Sequence, residues 1–166
     1  PGGARRRGRA RGLSGGENGQ ATRGYENPGG AVTPPGGTPE PDATRSVAGG
    51  DWDGDGDLDL AVGNSFQPIR VYGNTEGVLD LVWSASTAQN TNSVAWGDWD
   101  GDGDLDLAAG SWLGRNRVYE NRGGTLRLAR TAPERENTKA VRWGDWDGDG
   151  DLYLAVGNHR QPNKVY

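Results

Sequence analysis

The sequence predicts an all-β chain: a β-propeller segment of four-stranded antiparallel blades, about two and a half 47-residue repeats, behind a disordered N-terminal leader. Three observations carry this. Glycine supplies 30 of the 166 residues and no 3.6-residue apolar period runs through the chain, which excludes a helical solenoid. SVAGGDWDGDGDLDLAVGN begins at Ser46, SVAWGDWDGDGDLDLAAGS at Ser93 and AVRWGDWDGDGDLYLAVGN at Ala140, each 47 residues after the last. Each unit holds four short strand patterns, and so small a sheet cannot cover its own faces, so units of this period must stack as blades.

In chain order, residues 1–43 come first. They are mostly Gly, Pro, Arg and small polar residues, with six Arg against four acids. Their apolar content is too low to offset the entropy of ordering, so a disordered linker is expected. The run ARRRGRARG lacks interleaved aromatics and is read as solvated, with no nucleic-acid partner. Residues 44–166 carry the blades, as repeats of about 46–92, 93–139 and a truncated 140–166. In each unit Ser-Val-Ala or its equivalent precedes the acidic loop and Leu-Asp-Leu-Ala-Val or its equivalent follows it. Arg-Val-Tyr recurs at 70–72 and 117–119, with Lys-Val-Tyr at 164–166, and Leu-Asp-Leu-Val-Trp or Leu-Arg-Leu-Ala supplies the last strand. Propellers close with about four to eight blades. The chain is therefore expected to be a piece of a longer protein, its remaining blades supplied by further chain or by self-association.

The chain has no cysteine, hence no disulfide framework and no thiolate chemistry. No apolar run approaches the roughly 20 residues of a membrane span, and the N-terminus has no apolar signal core. Net charge is −5, yet 14 of the 23 acids crowd into the three recurring loops. Their repulsion needs a counter-charge. In DWDGDGDLD, Asp51, Asp53 and Asp55 alternate with Trp52 and Gly54, Gly56 permits a sharp turn, and Asp59 stands at the start of the next strand. This oxygen-rich spacing suits a hard cation that takes six to eight oxygens in irregular geometry, which is calcium, with the Asp57 carbonyl as backbone ligand. An EF-hand needs Glu at position 12 and flanking helices; Val62, Ala109 and Val156 stand there instead.

The motif resembles the FG-GAP and VCBS repeats, the calcium-loop blades of integrin-alpha-like propellers, with the pattern D-x-D-G-D-G-x-x-D between two strands. The resemblance covers residues from about 44 to 166, although the literal Phe-Gly and Gly-Ala-Pro tags are missing. It implies ligand sets of Asp51, Asp53, Asp55 and Asp59, of Asp98, Asp100, Asp102 and Asp106, and of Asp145, Asp147 and Asp149. Asp104 and Asp151 match Asp57 at position 7. Tyr153 takes position 9 of the third loop, so that site is expected to bind most weakly. Three Ca2+ ions would move the formal charge from −5 to +1.

Trp52, Trp99 and Trp146 share loop position 2, and Trp96 and Trp143 share another position, so they are expected to pack between blades. Trp83 and Trp112 do not recur and are read as facing a ligand or, equally, as filling an edge. His159, the one histidine, is read as a surface loop residue. Gly63, Gly110 and Gly157 are expected to serve a positive φ or a close approach. No G-x-S-x-G, zinc spacing or phosphate loop occurs, so no enzyme is expected. The resemblance implies a calcium-stabilised interaction or adhesion module of a larger secreted or cell-surface protein, presenting loops to a protein or glycan. A carbohydrate-binding propeller lectin, or the scaffold domain of a secreted polysaccharide-degrading enzyme, is the alternative.

Overall fold

A computed structural model describes residues 11–14, 23–26 and 33–166, with side chains from residue 37 onward. The described chain contains strands and no helix. β4 (Thr44–Gly50), β5 (Asp59–Asn64), β6 (Arg70–Thr75) and β7 (Val78–Ser84) form one antiparallel sheet in chain order. β8 (Thr91–Gly97), β9 (Asp106–Gly114), β10 (Arg117–Asn121) and β11 (Leu126–Thr131) repeat it. β12 (Glu136–Asp145), β13 (Leu152–Asn158) and β14 (Lys164–Val165) form three strands of the next sheet.

The repeat is exact at the level of register. Val47 opposes Val62 and Ala48 opposes Ala61; 47 residues on, Val94 opposes Ala109 and Ala95 opposes Ala108. The first strand of each sheet is irregular at the same place, Thr44 to Ser46, Thr91 to Ser93 and Thr138 to Ala140. The sheets stack with these first strands innermost, since β4 and β12 both approach β8.

Strand alternation sends neighbouring residues to opposite faces, and here both faces are covered. All six residues of β5 are buried. Ala61 and Val71 join Val94, Leu107, Tyr119 and Leu126 of the next blade in one core, while Ala95, Ala108 and Val118 join Val141, Leu154 and Val156 in a second. The indole Nε1 of Trp96 donates to the Ala48 carbonyl at 3.2 Å, and Trp143 repeats the bond to Ala95. Gly50 makes room for this: a Cβ there would stand 2.7 Å from the Trp96 ring. Trp52 is 5% exposed and stacks on Trp96 at 6.4 Å. The expected inter-blade packing of these tryptophans is present, whereas Trp146 in the third blade is 71% exposed. Each aromatic buried this way removes roughly 150–250 Å², on the order of 4–6 kcal/mol gross at about 25 cal/mol per Å².

Within the expected leader the structure describes residues 11–14, 23–26 and 33–43. β1 (Arg11–Ser14), β2 (Arg23–Glu26) and β3 (Thr33–Gly37) form an antiparallel sheet. In it Arg23 pairs with Gly37, Gly24 with Gly36 and Glu26 with Thr33, which is the pairing of Arg70 with Ser84, Val71 with Trp83 and Gly73 with Asp80 moved back by 47. β1 approaches β4 and β3 approaches β7, so this sheet stands where a preceding blade would. Residues 38–43 also belong to the fold: Asp42 is buried, paired with Arg70, and accepts a bond from Asn64 at 3.2 Å. The rest of the expected leader, residues 1–10, 15–22 and 27–32, lies outside the described residues.

Candidate metal centre

Each acidic loop joins the first strand of a blade to the second. It turns back through Gly54 and Gly56 at φ of 76° and 91°, and the second and third loops do the same at Gly101, Gly103, Gly148 and Gly150. Only glycine adopts such φ without strain. Carboxylates hold the turn from inside: Gly56 N donates to Asp51 Oδ2 at 3.0 Å, Gly103 N to Asp98 at 3.1 Å and Gly150 N to Asp145 at 3.2 Å. Asp57 N donates to Asp55 Oδ1 at 2.8 Å, with equivalents from Asp104 to Asp102 and from Asp151 to Asp149.

The residue at position 9 reaches further. Asp59 is fully buried and its two oxygens accept Trp52 N at 3.0 Å and Asn74 N at 2.8 Å. Asp106 does the same with Trp99 N and Asn121 N, both at 2.8 Å. This carboxylate ties the loop to the third strand of its blade. Burial pushes the carboxyls of Asp59 and Asp106 above the usual carboxylate range, against the pull of those backbone N–H bonds.

Carboxylate oxygens of Asp51, Asp53 and Asp59 converge within 4.8 Å of one another, as do those of Asp98, Asp100 and Asp106, and those of Asp145, Asp147 and Asp149. In the first two loops the carboxylates of Asp55 and Asp102 stand outside these groups, and in all three loops so do those of Asp57, Asp104 and Asp151. Asp51 Oδ1 and Asp98 Oδ1 are buried with no hydrogen-bond partner. An unpaired buried carboxylate oxygen costs free energy unless a positive charge meets it, so the residues present fit a cation. The third loop differs. Its three acids are exposed, Asp145 Oδ1 accepts Gly148 N at 2.7 Å, and Tyr153 donates weakly to Asp147 at 3.4 Å in place of a position-9 carboxylate.

Two residues of this architecture escaped the reading of the sequence. Asn74 bridges its loop and the turn beyond β6, donating to the Leu58 carbonyl at 3.0 Å and accepting Gly77 N at 2.9 Å. Asn121 accepts Gly124 N and donates across the blade interface to the Trp52 carbonyl at 2.8 Å. The signal was the shared Asn that closes RVYGN and RVYEN. Of its two expected roles Trp83 takes the structural one: its Nε1 donates to the Leu126 carbonyl at 3.0 Å and its ring meets Tyr119 edge-on at 5.2 Å, so it packs between blades. Gly63 and Gly110 serve close approach, to Thr91 and Thr138 of the next blade. His159 is exposed in the loop after β13, at the blade end opposite the acidic loops.

No curated protein matches the chain. The model of the FG-GAP-like repeat matches residues 51–109 and again 98–156, two overlapping copies that each run from one acidic loop through the next. With the loops, their spacing and the blades between them in agreement, the chain belongs to the FG-GAP-like repeat family.

Proposed function

We propose that this chain is a calcium-stabilised interaction module, three Ca2+ ions holding its blades in register while loops on the rigid stack engage a protein or glycan outside the cell. The observation that carries the reading is the pair of buried, partnerless oxygens of Asp51 and Asp98, each inside a convergent carboxylate group. Asp51, Asp53 and Asp59 would hold the first ion, with Asp55 and the Asp57 carbonyl completing the shell. Asp98, Asp100, Asp102, Asp104 and Asp106 would repeat this, and Asp145, Asp147, Asp149 and Asp151 would form a weaker third site. The ion supplies charge neutralisation and a fixed loop. Affinities of about 10⁻⁴–10⁻³ M, typical of extracellular modules, suit the high free calcium outside cells. The one histidine lies at the other end of the blades from the carboxylates, which supports binding over catalysis.

Calorimetric titration of the metal-free chain with Ca2+, beside thermal unfolding in calcium and in EDTA, tests this. Two stronger sites and one weaker one are expected, with the melting temperature falling in EDTA because the ion binds the folded loops alone. Asp51→Ala with Asp98→Ala should remove the two stronger sites. A folded chain that binds no calcium would overturn the proposal.

A further inference from the structure

Between the inner strands β4, β8 and β12 lies an open cavity of about 410 Å³, within the size range of small-ligand sites. Its lining contains Lys139 and Arg142 and no carboxylate. Ser46 Oγ accepts Val94 N and Ser93 Oγ accepts Val141 N, both at 3.1 Å. Each hydroxyl accepts from the backbone and keeps its proton to donate. Arg45, Asn92 and Lys139 hold the same repeat position at the end of the strands away from the acidic loops. Arg45 reaches Asn92 Oδ1 at 3.5 Å, and Asn92 donates to the Thr138 carbonyl at 2.9 Å. Among the described residues no carboxylate lies within ion-pair distance of Arg45, Lys139 or Arg142, whereas the acids nearby are engaged, Asp42 by Arg70 and Glu134 and Glu136 by Lys164. At the rim Lys139 Nζ stands 4.3 Å over the Trp112 ring, and His159, at the repeat position of Trp112, lies 5.5 Å from it.

Resting on the reading of the chain as a binding module, we propose that this inner-strand cavity is an anion site for an acidic saccharide, its carboxylate or sulfate held by Lys139 and Arg142. The charged side chains of the lining, Lys139 and Arg142, are both cations, which selects an anion. Half-buried Val47 and Ala48 and exposed Ala140 give apolar surface against which the C–H face of a sugar ring packs. The concavity takes a chain of sugar rings more readily than the flat face of a folded protein.

Titration of the full calcium-loaded chain with a galacturonate tetramer, a chondroitin sulfate tetrasaccharide and neutral cellotetraose tests the site and separates carboxylate from sulfate as the anion. Binding of at least one acidic tetramer, and at least tenfold weaker binding of the neutral one, is expected. Lys139→Gln with Arg142→Gln should weaken that binding tenfold or more, while Arg127→Gln with Arg130→Gln on β11 should change it less than twofold. Both pairs are exposed, and an unchanged melting temperature in calcium verifies folding. Equal loss in the two variants, equal affinity for cellotetraose, or tighter binding of a hexa-aspartate peptide would overturn the proposal, the last in favour of an acidic protein partner. No saccharide binding by a chain that still loses stability in EDTA would overturn this site alone; unchanged melting in EDTA would instead defeat the calcium reading.

Discussion

The carboxylates of one acidic loop do different work, and their environments separate them. Asp53 is exposed and its one bond inside the loop, from Asp55 N, is 3.2 Å long, so its charge matters chiefly to a cation. Asp59 is buried and satisfies two backbone N–H groups, which would be orphaned without it. Asp59→Ala should therefore cost about 2–3 kcal/mol in EDTA, from unsatisfied buried donors, and more in calcium, where a ligand is lost as well. Asp53→Ala should leave stability in EDTA unchanged or slightly raised, by removing repulsion, and should lower it in calcium. Thermal unfolding of both variants in the two buffers measures the four values. If Asp59→Ala were silent in EDTA, the carboxylate would be a ligand only and its role in tying the loop to β6 would be wrong. The acidic spacing was legible because metal-binding loops must place oxygens at short fixed intervals. The division of labour was not, since it depends on which oxygens the third strand reaches.

At the scale of the strand, the blades were legible from residue 46 and the preceding sheet was not. Its strands are built from Arg-Gly-Leu-Ser, Arg-Gly-Tyr-Glu and Thr-Pro-Pro-Gly-Gly, which carry little of the β-branched alternation by which strands are recognised. What survives is register: RGYEN at 23–27 stands 47 residues before RVYGN. The connection from β3 to β4 is fastened by polar contacts that composition cannot reveal. Asp42 pairs with Arg70, Tyr72 donates to Glu40 at 2.9 Å, and in the third blade Lys164 meets Glu134 at 2.6 Å and Glu136 at 2.5 Å. These partners recur 94 residues apart, and in the second blade Arg117 donates to Thr87 at the intermediate position, so the clasp belongs to the blade design. Because Asp42 is buried, Asp42→Ala leaves the Arg70 guanidinium without its carboxylate and should destabilise the chain by about 3 kcal/mol. A melting curve in calcium should show a clear fall, larger than for Glu120→Ala, whose partner Arg122 is exposed. Equal effects would mean that residues 38–43 do not belong to the folded unit.

Across the molecule, the acidic loops share one end of the blades, and Arg45, Lys139, His159 and Arg160 stand at the other with Asp42, Glu134 and Glu136. Without a cation the fold must hold 14 carboxylates close together in three loops, and Asp100 shows the strain, its carboxyl pushed up by desolvation and by Asp102 beside it. Such repulsion between solvent-facing charges is screened by salt, with a Debye length of about 10 Å at 0.1 M. A bound ion removes the repulsion at its source, and its attraction to the loop is itself weakened by screening. The two states should consequently respond to salt in opposite directions. In EDTA the melting temperature should rise as sodium chloride increases from roughly 0.05 to 0.5 M, because the interval spans the range over which neighbouring loop charges become screened. In calcium held just above saturation it should stay level or fall. Asp51→Ala with Asp98→Ala should show the EDTA response in both buffers, since the two stronger sites are gone. Identical salt responses in calcium and EDTA would mean that loop repulsion is not what the cation relieves, and that the buried oxygens of Asp51 and Asp98 are satisfied in some other way.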